Sequence, residues 1–249
     1  MSRYAGIKSV FKREFRSYFA TPLGYIFIVI FLFASGWLTV SRDAGRLLEM
    51  RQASLDAFFK FQPWIYLFLV PAVAMRLWAE ERKTGTVELL FTLPITLQGS
   101  YLGKFFAGWA FLLISLVGTW PIVFQVARLG DPDWGVIVTG YLGCALLSAT
   151  YLAVGMFFSA LSKNQVVAFI LGVSMLLILF TIGQPQTLEF IGNYFGGYTE
   201  QVLGSLSLID HFGTLTRGLV EFRALGFFVA CSAGWLISGM ILLNRVKAS

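Results

Sequence analysis

The chain has 249 residues, of which 57% are hydrophobic and only 13% charged, about half the charged fraction of an ordinary soluble domain. That balance excludes a water-soluble enzyme: a compact domain of this size buries only about 75% of its surface, and an apolar excess that includes 25 Phe and 7 Trp is left with lipid as its solvent. The net charge of +6 suits anionic headgroups, and so low a charge density disfavours nucleic acid as a partner. A single histidine, His211, excludes zinc sites built on several histidines. Cys144 and Cys231 lie in apolar runs, where a thiol behaves as a small hydrophobe rather than half of a disulfide.

Residues 1–20 read as an amphipathic helix. Ile7, Val10, Phe11, Phe15, Tyr18 and Phe19 fall on one face, with Lys8, Lys12, Arg13 and Arg16 between them. A basic helix of this kind lies on an anionic leaflet; the plainer reading is a cluster of topogenic charge. Thr21-Pro22 ends it. No cleavable signal peptide is expected, because the next apolar stretch is too long and runs to Arg42 without a small-residue cleavage site.

A transmembrane helix needs about 20 residues with few charges, and the gaps between charges place six, at 23–40, 63–78, 105–127, 136–159, 166–183 and 225–244. The second is the shortest and relies on Arg76 reaching back toward the headgroups. Residues 1–249 are read as one domain with two long connections, 80–100 and 184–224. Six spans leave both ends of the chain on one side. That side receives twelve of the 19 Lys and Arg but only four of the 13 acidic residues, Glu14, Glu80, Glu81 and Glu88, giving +8 against −2 on the other. The Lys/Arg bias predicts cytoplasmic termini.

The first connection carries Glu80-Glu81-Arg82-Lys83-Thr84-Gly85-Thr86-Val87-Glu88-Leu89-Leu90-Phe91-Thr92-Leu93-Pro94. Thr86 is suited to cap a short helix, Glu88 to sit at its positive end, and Pro94 to stop it two turns later. Val87, Leu90 and Phe91 would form its docking face. Such a helix, held between the second and third spans, is a lever for a push from the cytoplasm; an ordinary interfacial loop with self-neutralising charges is the equal alternative. The second connection, 184–224, is too long for a turn and includes the aromatic run Tyr194-Phe195-Gly196-Gly197-Tyr198. Within it Arg217 and Glu221, four apart, are placed to pair if helical, and His211 is expected at the surface.

The span interiors are polar only through residues such as Ser35, Thr39, Ser115, Thr119, Ser148 and Thr150, which in lipid mostly bond to helix backbone or a neighbouring helix. No carboxylate lies deep in a span, which weakens an ion-coupled carrier. Pro71 and Pro121 mark kinks, as hinges or as tolerated packing features. An intramembrane serine protease built on Ser174 and His211 is disfavoured, since Met175 follows the serine and His211 lies in a connection. The closest approach to a nucleotide-binding loop, Gly99-Ser100-Tyr101-Leu102-Gly103-Lys104-Phe105, is one residue short and has Phe where the hydroxyl belongs. Gly99 and Gly103 fit close helix approach better.

The run from Glu80 to Pro94 resembles the signature of ABC-2 type permeases, in which Glu-Glu-Arg, Gly-Thr, Glu-Leu-Leu and Leu-Pro follow the second span. The six spans, the N-terminal helix and the Phe158-Ser159-Ala160-Leu161-Ser162-Lys163-Asn164-Gln165 turn match the same pattern, and Asp210-His211-Phe212 with Thr216-Arg217-Gly218-Leu219-Val220 is similar to the gliding-motility-type (GldF-like) branch. The resemblance implies an all-α membrane protein of the ABC-2 (type V) exporter permease fold, with six transmembrane helices and an N-terminal amphipathic interfacial helix. It implies a homodimer or pseudo-dimer in the bacterial inner membrane, carried by two cytosolic ATP-binding subunits. ATP and Mg²⁺ would sit on those subunits, and this chain would bind no cofactor of its own and catalyse nothing. Glu80, Glu81, Arg82, Thr84, Gly85, Thr86, Glu88, Leu90 and Pro94 would then form the ATPase-coupling segment. His211, Arg217 and Glu221 would belong to an external gate. Export by alternating access is the function implied. The alternative is a membrane subunit that relays ATP-driven motion to an envelope partner, such as an auxiliary periplasmic-domain protein, without passing substrate.

Overall fold

The computed structural model describes residues 3–41, 54–86 and 96–248. Among the described residues every regular element is helical: α1 (Arg3–Ala20), α2 (Pro22–Val40), α3 (Asp56–Ala74), α4 (Arg76–Thr84), α5 (Leu97–Val117), α6 (Trp120–Leu129), α7 (Trp134–Leu161), α8 (Gln165–Ile182), α9 (Pro185–Phe195), α10 (Gly197–Ser205), α11 (Leu208–Thr216) and α12 (Phe222–Ala248). Because α3–α4 and α5–α6 continue as broken pairs, six helical units of 18 to 33 residues are long and apolar enough to cross a bilayer.

Local chemistry sets the ends. Thr21 is extended (φ −113°, ψ 144°) and Pro22 opens α2, so the predicted break between surface helix and first span is present. Asp133 caps α7 by accepting from Gly135 N at 2.8 Å, and Asn164 caps α8 by accepting from Val166 N at 2.9 Å. The second span is longer than its apolar core: the helix starts at Asp56, whose carboxylate favours the first turn, and α4 carries it on through Glu80, Glu81 and Arg82. The expected 80–100 connection therefore begins inside a helix, α4, which closes at Gly85, whose φ of +72° is the left-handed conformation that ends a helix.

Helix α7 is the centre of the molecule. Its strongest packing is with α12 and α3, then α8, α11, α5 and α4, and it is apolar around its whole circumference, as a buried helix must be. By contrast α2, α8 and α12 bury one stripe each and expose large apolar residues such as Val29, Phe33, Trp37, Ile170 and Val229, surfaces that fit lipid. Small residues let α7 be approached: a Cβ on Gly155 would stand 2.6 Å from that of Ala74 on α3. The hydroxyls mostly serve helix backbone, as expected. Thr39 donates to Ser35 O at 2.6 Å and Ser115 to Phe111 O at 3.0 Å, while Thr150 also meets Ser232 across helices at 2.9 Å.

Helix α1 lies against α5 with its predicted apolar stripe inward: Val10 is buried, Tyr18 stacks on Phe111 at 4.6 Å, and Lys8, Lys12, Arg13 and Arg16 are exposed. Gly103 is the contact that permits this, since a Cβ there would lie 2.9 Å from Val10 Cβ and 3.0 Å from the Ile7 carbonyl. Gly103→Ala is expected to lift α1 and speed tryptic cleavage at its exposed basic residues in the intact protein; cleavage at the wild-type rate would show that α1 is held elsewhere.

Candidate functional site at the junction of α1, α4, α5 and α7

The span formed by α3 and α4 breaks at Met75, one turn after Pro71, through which the helix passes. Ser159 of α7 occupies the break. Its hydroxyl donates to Met75 O at 2.8 Å and accepts from Trp78 N at 3.0 Å and Ala79 N at 3.1 Å. A side chain inserted into the i→i−4 ladder in this way is a physical cause of a helix break, and it satisfies backbone groups that lipid would leave unpaired. The other break, at Gly118 and Thr119, falls just before Pro121 at the start of α6. There Thr119 Oγ1 donates to Leu116 O and lies 2.8 Å from Tyr141 Oη.

Beyond Met75, α4 is fastened a second time. Arg82 donates through Nη1 to the carbonyls of Ala160 and Leu161, the latter at 2.7 Å, and so caps the C-terminal end of α7. Its third fastening is Lys104 of α5, a side chain only 2% exposed. The Lys104 ammonium donates to Leu77 O at 2.6 Å and Glu81 Oε1 at 2.7 Å, lies 3.7 Å from Glu14 Oε1 on α1, and stands 4.8 Å above the Trp78 ring. A buried ammonium persists only where partners replace its hydration, and α4 and α1 supply them. Arg13 extends the cluster outward, 2.8 Å from Glu14 and 3.8 Å from Glu81.

Beside this cluster is a cavity of about 300 Å³ bounded by α1, α4 and Lys104. Tyr18 Oη and the second Glu81 oxygen, Oε2, are buried without a protein partner. Burial, and after it the neighbouring Glu14 carboxylate, push the Tyr18 phenol well above its ordinary range, so it stays a neutral donor.

The residues expected to form a coupling segment thus divide. Glu81 and Arg82 turn inward as fasteners, whereas Glu80 is exposed and stands 3.9 Å from Arg76 one turn earlier. Thr84, Gly85 and Thr86 are exposed, with Thr84 Oγ1 donating to Glu80 O at 3.0 Å and lying 3.0 Å from Thr86 Oγ1. Glu88, Leu90 and Pro94 lie outside the described residues. At the other end of the bundle, residues 184–224 contain α9, α10 and α11. His211 is buried rather than at the surface: its ring packs 4.3 Å from that of Phe227 and its Nε2 lies 3.1 Å from Ser205 O. The ring of Phe227 on the following helix, α12, covers it. Arg217 and Glu221 share no helix, because α11 stops at Thr216 and Gly218, at φ +86°, redirects the chain. Ser174 sits on the exposed side of α8 and makes no hydrogen bond with His211.

A helical bundle that crosses a bilayer six times, with an ionic knot where its second and third spans approach the connection between them, defines a multi-pass membrane subunit with a mechanically fastened end. The model of a family described as ABC-2 family transporter protein matches residues 51–193. The chain belongs to that family, and so to the membrane components of ABC transporters, which are distinct from the ATPases they work with. No curated protein matches the chain.

Proposed function

We propose that the chain is the permease subunit of an ATP-driven exporter in the bacterial inner membrane, with both termini cytoplasmic, and that it moves its substrate by alternating access. Two copies form the permease, two cytosolic ATP-binding subunits drive it, and those subunits hold the ATP and Mg²⁺. The connection from Gly85 to Thr96 receives the push. The observation that supports this most is the threefold fastening of α4 just before that connection, by Ser159, Arg82 and Lys104. A push delivered there acts on α7, α5 and α1 together rather than being absorbed by one loose helix.

Glu80 and Lys83 are exposed on α4 and give the clean test. In membranes holding the chain and its ATPase, Glu80→Lys/Lys83→Glu is expected to weaken copurification about tenfold or more, through mispaired interface charge, without changing the thermal stability of the permease alone. Wild-type copurification and ATPase stimulation would sink the coupling assignment. The similarity around Asp210-His211-Phe212 supports placement in the gliding-motility-type branch. A relay to an envelope partner is supported by Tyr194, Phe195 and Tyr198, each at least 73% exposed on α9 and α10. Substrate uptake into sealed inverted vesicles, with active or disabled ATPase, separates export from relay.

A further inference from the structure

We infer that the end of the bundle away from the termini binds a phosphate-bearing amphiphile, a glycerophospholipid of the adjoining leaflet, in an open cleft of about 560 Å³ between α3, α8 and α11. Helix α3 lines this cleft with Asp56, Lys60, Pro63 and Trp64, a spacing that puts all four on one face. Their order along the face is the order of chemical groups in a phospholipid. Lys60 stands one turn, about 6 Å, from Trp64 along the helix axis, so a cation for the phosphate lies above an indole for the glycerol and first methylenes. Arg217, just past the end of α11, supplies a second cation to the same cleft. Phe180 completes the apolar wall, with its ring centroid 4.4 Å from that of Trp64.

Three further observations fit this ligand. Among the described residues neither Lys60 nor Arg217 has a carboxylate within 4.0 Å, and both are exposed, so their charge is available. Trp64 is 48% exposed although it stands inside a bilayer-crossing unit, which turns its outer edge toward lipid, where an indole favours the headgroup boundary. Asp56, one turn above Lys60, repels a bare dianion but accepts from a hydroxyl or ammonium group, and so selects an esterified phosphate with a polar substituent over inorganic phosphate. The site depends on the membrane-spanning fold and not on the ATPase, so its failure and that of the coupling reading are separate outcomes.

The test titrates the full chain, in uncharged detergent, with dioctanoyl phosphatidylethanolamine or dioctanoyl phosphatidylglycerol and counts bound lipid by native mass spectrometry. One saturable lipid per chain is expected. Affinity should fall about tenfold for each cation removed in Lys60→Ala and Arg217→Ala and comparably in Trp64→Ala, while Lys60→Arg binds like the wild type. Elution volume and thermal midpoint should not change, since both cations are exposed; if Trp64→Ala misfolds, the two cation variants decide. Equal binding of dioctanoylglycerol, which lacks phosphate, would overturn the proposal. So would displacement of the lipid by inorganic phosphate at equal concentration, which would mark a free-anion site, or unchanged affinity in the Lys60→Ala/Arg217→Ala protein.

Discussion

Glu81→Ala is expected to destabilise the protein by about 3 kcal/mol, the usual cost of breaking a buried ion pair from one side, whereas Glu80→Ala, one residue earlier, stays within about 0.5 kcal/mol. The difference comes from the partner. Lys104 is 2% exposed, and without Glu81 its ammonium keeps the Leu77 carbonyl, a more distant Glu14 and the Trp78 ring face. Glu80 faces solvent, and its contact with Arg76 is a surface pair of little worth. Removing both charges should be milder than removing one: Glu81→Leu/Lys104→Met is expected to regain most of the loss, because no stranded ammonium remains to be desolvated. Chemical unfolding in one detergent, followed by the same probe for all three proteins, decides it. Equal effects of Glu80→Ala and Glu81→Ala would show that Lys104 is hydrated rather than paired.

The spans were legible because charge is scarce: each gap between charged residues long enough to cross a bilayer is helical in the fold. The apolar stripe of α1 and the close approach at Gly103 were each legible as local patterns, but not that they meet: the stripe reads as a face for the leaflet, whereas in the fold it packs on α5. What the knot contains was not legible. Lys104 reads as a loop charge bounding a span, and its partners lie 23 and 90 positions away, at Glu81 and Glu14. A signal did exist: Ser100, Tyr101, Lys104, Ala107, Gly108 and Phe111 recur at helical spacing and are all buried on α5, so periodicity alone points Lys104 inward. His211 misled for the converse reason. A polar residue between turns suggests solvent, and only the return of α12, with Phe227, buries it. The break at Met75 was shadowed by Pro71, but its cause is a hydroxyl on α7, which no local rule in α3 anticipates.

Ser159→Ala should cost about 2 kcal/mol, less than the sum of its three bonds, because the freed groups of Met75, Trp78 and Ala79 can re-form part of the helical ladder. A second effect is expected on coupling. With the break healed, α3 and α4 become one continuous helix, and a displacement at Gly85 is carried up α3 rather than into α7. Arg82→Ala removes the other tie, to the Ala160 and Leu161 carbonyls, and on its own leaves Ser159 holding the helix. The two side chains fasten the same α4 to the same end of α7, so each backs up the other and their effects on ATPase stimulation should be non-additive: either variant alone lowers it modestly, and the double variant lowers it by more than the product of the two. Stimulation is measured in proteoliposomes with the ATPase in excess, using Ser115→Ala as a control that removes a hydroxyl bonded only within α5. A folded double variant that still stimulates at the wild-type level would mean that the push bypasses α4 and enters through α5 alone.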